Sequence, residues 1–241
     1  MSASIISAAM VLAAGLGLRL RPITETLPKP LVAVAGRSML DRALDALSDA
    51  GVGTCIVNTH YLGDMIVDHL RDRAAPFIRI SAEEELLDTG GGVARALPML
   101  GSGPFFAVNA DILWEEGPGA LALTRLAETF DAACLDALLL VVPLERAVGY
   151  DGAGDFTLDD EARLVRRGKA ARAPYVFTGV QVLHPRLLED CPSGPFSLNV
   201  LYDRAIAAGR LGGLVHDGRW FHIGTVDGLH LAEAGLKAGP P

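Results

Sequence analysis

The strongest constraint on the fold is a regular alternation of strand-length apolar runs with segments of helical period. Ile5 to Leu12 reads as a buried strand. Met39, Leu40, Ala43, Leu44 and Leu47 recur at steps of three and four, which puts them on one helix face. Cys55 to Thr59 then reads as a second strand and Asp64 to Arg73 as a second helix. Phe77 to Ser81, Phe105 to Asn109 and Ala137 to Pro143 continue as strands, with helices expected from Gly92 and from Pro118. This βαβαβ order implies an α/β, Rossmann-like architecture: a mostly parallel central sheet, covered on both faces, with right-handed crossovers.

The pattern changes after about Val148. Gly152, Gly154 and Gly168 bracket two short runs, Asp155 to Leu158 and Leu164 to Arg167, which look like a hairpin. Tyr175 to Leu183 reads as a long strand and Leu229 to Leu236 as a closing helix, with the tail after Gly235 expected to fray. No internal repeat or linker divides the chain, and 241 residues suit one domain.

Composition narrows the function. A formal net charge of −8 argues against a nucleic-acid partner, because phosphate backbones select basic surfaces. Cys55, Cys134 and Cys191 are odd in number and far apart, so neither a disulfide framework nor a metal spacing is expected. The first twelve residues lack a basic leader, and their apolar run falls short of the ~20 residues a bilayer span needs. These features predict a cytoplasmic protein with no membrane partner. No obligate protein partner is legible.

In open α/β sheets ligands bind outside the carboxyl ends of the strands. The loop after the first strand runs Leu12, Ala13, Ala14, Gly15, Leu16, Gly17, Leu18, Arg19, and continues to Pro28, Lys29, Pro30. Gly15 and Gly17 let backbone amides approach phosphate oxygens. Arg19 offers a planar fork, and Lys29 a point charge in a loop stiffened by prolines. The third glycine of a dinucleotide fingerprint would fall at Leu20, and no Gly-Lys-Ser/Thr follows, so neither that motif nor a P-loop fits. A second loop, Leu87-Asp88-Thr89-Gly90-Gly91-Gly92, opens a helix with three glycines that could leave amides free for a flat ligand. Glu83, Glu84 and Glu85 before it read as a solvated acidic edge. A third loop, Asn109-Ala110-Asp111, puts a carboxylate just past a buried strand, where it suits a Mg²⁺ bridging phosphates or a plain helix cap. Trp114 could wall the pocket or pack in the core.

The run from Leu12 to Pro30, including Thr24, resembles the signature of the sugar-nucleotide pyrophosphorylases, nucleotidyltransferases of glycosyltransferase-A-like fold. The resemblance extends through Leu87 to Gly92, Asn109 to Asp111, Val148-Gly149-Tyr150, Gly154-Asp155-Phe156, Thr178-Gly179 and Ser197-Leu198-Asn199, and so covers nearly the whole chain. It implies transfer of a nucleotidyl group from a nucleoside triphosphate to a sugar 1-phosphate, with a nucleotide-binding half over about 1–135 and a sugar-phosphate half over about 136–236. By this resemblance Arg19, Lys29 and Asp111 are catalytic. Leu12, Ala13, Ala14, Gly15, Gly17, Thr89, Gly90 and Gly91 bind nucleotide. Asn109, Gly149, Asp155, Thr178 and Gly179 serve the sugar phosphate.

The cofactor implied is Mg²⁺ on Asp111, which Mn²⁺ could replace. One departure stands out, since His222 occupies the slot where the family usually places a second metal-binding Asp. Either His222 ligates, or it only hydrogen-bonds while substrate phosphates complete the shell. The loop resembles the branch containing N-acetylmuramate-1-phosphate uridylyltransferases, and mannose-1-phosphate guanylyltransferases share most of its motifs. A nucleotide-binding regulatory subunit without turnover is the reading from another functional class.

Overall fold

A computed structural model describes residues 6–238. Nine strands form the central sheet: β1 (Ala8–Leu12), β2 (Thr54–Thr59), β3 (Phe77–Ala82), β4 (Phe105–Asn109), β5 (Ala137–Pro143), β6 (Phe156–Leu158), β7 (Leu164–Arg166), β8 (Tyr175–Leu183) and β9 (Leu211–Val215). The first four lie parallel in the order β3-β2-β1-β4. Next to β4 comes β8, which runs antiparallel to β4, β5 and β6, and β9 joins β5 in parallel. Only β7 and β8 run against the rest, so the sheet is mixed but mostly parallel. Ile5, expected at the head of the first strand, lies outside the described residues.

Residues alternate between the two faces, as the pleat requires. Ala9, Val11, Cys55 and Val57 join one core with helices α1 (Met39–Asp49), α2 (Gly63–Leu70) and α4 (Ala122–Thr129). Met10 and Ile56 face the other core, with α3 (Asp88–Leu100) and α5 (Asn199–Ala207). The five apolar residues expected on one face of α1 are all buried, and Ser38 Oγ caps the helix by accepting the Asp41 amide at 3.0 Å. Cys55 is a packing residue whose thiol is pushed up to about 12 by burial.

Several boundaries differ from expectation. The helix placed from Gly92 begins at Asp88, because the Phe196 carbonyl accepts the amides of Gly90 and Gly91 and so caps that end. The helix placed from Pro118 begins at Ala122. The closing helix, α6 (Val226–Ala238), starts earlier and continues through the stretch expected to fray. Residues 239–241 are not described. No described helix is long and apolar enough to cross a membrane.

A third, smaller core joins the two ends of the chain. Leu20 and Val32 of the first loop pack with Phe221, Ile223, Leu229 and Ala232 around the closing helix. Next to it, Trp220 Nε1 donates to the Thr178 carbonyl at 2.9 Å, at an irregularity of β8 between Phe177 and Gln181. Trp220→Phe would leave that buried carbonyl without its donor, and should lower unfolding free energy by about 1–2 kcal/mol in urea melts. An unchanged midpoint and slope would contradict this.

Candidate active site

The carboxyl ends of β1 and β4 open into a cavity of about 590 Å³. Leu12, Ala13, Ala14, Gly15, Gly17, Arg19, Lys29, Thr89, Asn109 and Asp111, all singled out in the sequence, line it. The loop is braced by its own contacts. Gly17 takes a left-handed conformation (φ 62°), and a side chain there would press to 3.0 Å on Lys29 and Thr24. Buried Thr24 donates to the Gly17 carbonyl at 2.8 Å, and the Tyr61 hydroxyl donates to the Thr24 carbonyl at 3.0 Å.

Lys29 sits in the short turn Lys29–Leu31, entered through Pro28 and holding Pro30. Its Nζ donates to Asp111 Oδ2 at 2.6 Å. The lysine side chain is only 11 % exposed and that of Asp111 37 %, so the carboxylate keeps a face toward the cavity. The Ala110 amide donates to the Leu12 carbonyl at 3.0 Å, tying the two strand ends together. Gly179, in positive φ (86°), leaves room for Asn109, whose Nδ2 would stand 2.8 Å from a Cβ there.

His222 does not line the cavity and lies behind Gly224, which does. Its ring lies edge-on to Tyr150 at 5.8 Å and tilted against Trp220 at 5.7 Å. Burial first, then the charges of Arg19 and Lys29, push its imidazole below the ordinary value, against the pull of Asp111 and Asp151. These surroundings favour the neutral form of the ring. Gly224 lines the cavity between them: a Cβ there would meet His222 Nε2 at 2.5 Å and Arg19 Nη1 at 3.2 Å.

This geometry meets a family pattern that runs the length of the chain, since residues 8–238 match the model of the nucleotidyl transferases. The chain belongs to the nucleotidyl transferase family. It is 41% identical over 233 residues to the N-acetylmuramate alpha-1-phosphate uridylyltransferase of Caulobacter vibrioides, covering 95% of this chain and 96% of that one. A protein of the same name from Neisseria meningitidis is 33% identical over 230 residues, covering 94% and 96%. HddC of Yersinia pseudotuberculosis, solved with GMP-PN, superposes with a TM-score of 0.76 at 23% identity, over 95% of this chain and 99% of that one, and shows the shared fold.

Nucleotidyl transferases generally work with a divalent metal ion, and the donor set here fits one held largely by substrate. Among the described residues no three His, Cys, Asp or Glu side chains cluster into a cage. A partly exposed Asp111 in one cavity with the glycine loop matches the way hard cations bind through one or two carboxylates plus phosphate oxygens.

Other sequence-derived assignments need correction. Gly90 and Gly91 do not line the cavity: their amides are taken by the Phe196 carbonyl, and Phe196 and Gly194 fill the space beside them. The Thr178 side chain is fully buried, its hydroxyl donating to the Leu140 carbonyl at 2.8 Å. Asp155 Oδ2 accepts the Phe177 amide at 2.9 Å and so ties the hairpin to β8. Gly149 packs beside the His222 carbonyl and the closing helix. Trp114 Nε1 donates to Glu116 Oε1, and the indole lies outside this cavity.

Asn58 and Glu83 also line the cavity, although neither is assigned to it from the sequence. Glu83 is only 5 % exposed and no part of a solvated edge. No local signal marks it: the period of β3 groups Glu83 with exposed Phe77 and Arg79, and its burial goes with its bonds to Asn58 and the Leu87 amide.

Gly179→Ala would combine a left-handed backbone with a clash on Asn109. It should cost about 1–2 kcal/mol of stability from the backbone alone, and should also reduce turnover by displacing Asn109. Parallel urea melts and rate assays check this, and a variant matching wild type in both would show that the close approach is not needed.

Proposed function

We propose that the protein transfers a uridylyl group from UTP to N-acetylmuramate 1-phosphate, releasing pyrophosphate and forming UDP-N-acetylmuramate. The observation that carries the reading is the meeting of Lys29 and Asp111 at 2.6 Å beside the glycine loop, in one cavity at the β1 and β4 ends. The choice of uridylyl and N-acetylmuramate rests on the 41% identity to the Caulobacter enzyme, over almost the full length of both chains.

In this reading the amides of Ala14 to Gly17 cradle the triphosphate, while the Ala13 amide is held by Asn58 Oδ1. Arg19 and Lys29 neutralise its charge and that of the leaving pyrophosphate. Asp111 would hold Mg²⁺, which Mn²⁺ could replace and which supplies charge neutralisation at the transferring phosphoryl group. Asn109, resting on Gly179, contacts the sugar side. The sugar's phosphate oxygen is already anionic and attacks the α-phosphorus directly, so orientation replaces general-base catalysis. His222, held by Tyr150 and Trp220, stays outside the metal shell and packs behind Gly224 near Arg19. The substrates place the reaction in the cytoplasm, among steps that reuse cell-wall sugars.

Pyrophosphate release from a matrix of nucleoside triphosphates and sugar 1-phosphates should show the highest kcat/KM for UTP with N-acetylmuramate 1-phosphate. A higher value for GTP with mannose 1-phosphate would overturn the substrate assignment. Asp111→Asn should lower kcat by roughly a thousandfold or more while the fold persists. Wild-type rates at saturating Mg²⁺ would remove Asp111 from the site. Mg²⁺ should support wild-type turnover at least as well as Mn²⁺, whereas activity confined to Mn²⁺ and restored to Mg²⁺ by His222→Asp would make His222 a ligand.

A further inference from the structure

Asn58 and Glu83 are buried polar residues for which the proposed reaction has no task. Asn58 is the penultimate residue of β2 and 3 % exposed, and Glu83 follows β3 directly. Asn58 Oδ1 accepts the Ala13 amide at 2.7 Å, and Asn58 Nδ2 donates to Glu83 Oε1 at 2.7 Å. Glu83 Oε2 accepts the Leu87 amide at 3.0 Å. One hydrogen-bonded chain therefore runs from the start of the glycine loop to the segment that enters α3. A buried carboxylate is costly unless its oxygens are satisfied, and here each oxygen accepts an N–H.

Gly92 makes room for this chain. A Cβ at that position would stand 2.8 Å from Glu83 Oε1 and 2.9 Å from Asn58 Nδ2. Gly92 lies inside α3, where alanine would be the better helix former. The third glycine of the triplet thus serves the Asn58–Glu83 contact rather than a ligand.

We infer that Asn58 and Glu83 are a positioning pair, fixing the Ala13 amide relative to the Leu87–Thr89 segment so that both walls of the nucleotide site are set before binding. The inference rests on reading this cavity as the nucleotide site. The pair acts through the loops it holds and touches no reacting atom.

The polarity of the central bond can be reversed. Glu83→Gln offers one oxygen to two N–H donors, so one donor faces the new amide unsatisfied. Asn58→Asp sets carboxylate against carboxylate. In the double variant the new amide donates to the new carboxylate, and the amides of Ala13 and Leu87 both keep acceptors. Net charge is unchanged.

Hydrogen exchange of the Ala13 and Leu87 amides reads the pair in the free protein, and steady-state kinetics with UTP and N-acetylmuramate 1-phosphate reads its consequence. Each single variant should speed Ala13 exchange and raise the nucleotide KM about tenfold or more, as expected for a lost hydrogen bond to a charged group. The sugar-phosphate KM should not move. The double variant should recover both readouts to within about threefold of wild type, the coupling expected of groups in direct contact. Gly92→Ala should behave like the single variants in spite of its better helix propensity.

Wild-type Ala13 exchange in Glu83→Gln, or a double variant no better than the worse single, would overturn the inference. The second result is what a direct contact between Glu83 and the base would give, since Glu83→Gln would then harm binding whatever stands at position 58. Absence of pyrophosphate release by the wild type would count against the proposed reaction alone, because exchange tests the pair without substrate.

Discussion

The site depends on the register of β1 between two parallel neighbours. Leu12 pairs with Asn58 on one side and Asn109 on the other, and Asn58 pairs in turn with Ser81. Four strands therefore end at one level, and the residues just past them are forced into a common plane. Ala13, Glu83 and Asp111 meet there because hydrogen-bonded register leaves them no other place. The order β3-β2-β1-β4 supplies the crevice, since chain connections diverge on either side of β1. Asn58, Glu83, Asn109 and Asp111 line the cavity because of where each strand ends.

The second half of the chain contributes support more than contact. β8 flanks β4, carries the irregularity at Thr178 to Gln181, and brings Gly179 under Asn109. The closing segment returns Gly224 to the rim with His222 and Trp220 behind it, and the small core of Leu20, Phe221 and Ile223 seals it to the first loop. Residues far apart in sequence act on the site through packing, so Thr178, Asp155 and Gly149 matter without lining it.

What could be read from the sequence followed from local rules. The apolar spacing of α1, the alternation of the strands and the Leu12 to Pro30 run are properties of neighbouring residues, and each led to its structural counterpart. Glu83 escaped because the period of β3 groups it with exposed Phe77 and Arg79, and its burial depends on partners beyond the strand, Asn58 and the Leu87 amide. Gly90 and Gly91 were assigned to a ligand because the sequence cannot show that the Phe196 carbonyl, about a hundred residues away, takes their amides. The burial of Thr178 likewise depends on its bond to the Leu140 carbonyl, a partner 38 residues distant. Tertiary partners, rather than propensity, decided these positions.

The account makes the transfer a single displacement in which no protein atom bonds to the nucleotide. Among the lining side chains that carry a nucleophilic atom, Lys29 is held in an ion pair with Asp111. Thr89 Oγ1 is occupied in accepting the Leu198 amide at 3.0 Å. Stereochemistry at phosphorus tests this directly. With UTP made chiral by sulfur at the α-phosphorus, one in-line displacement by the sugar phosphate predicts inversion in the UDP-sugar product. Retention of configuration would mean two displacements through a nucleotidylated residue, and would contradict the account.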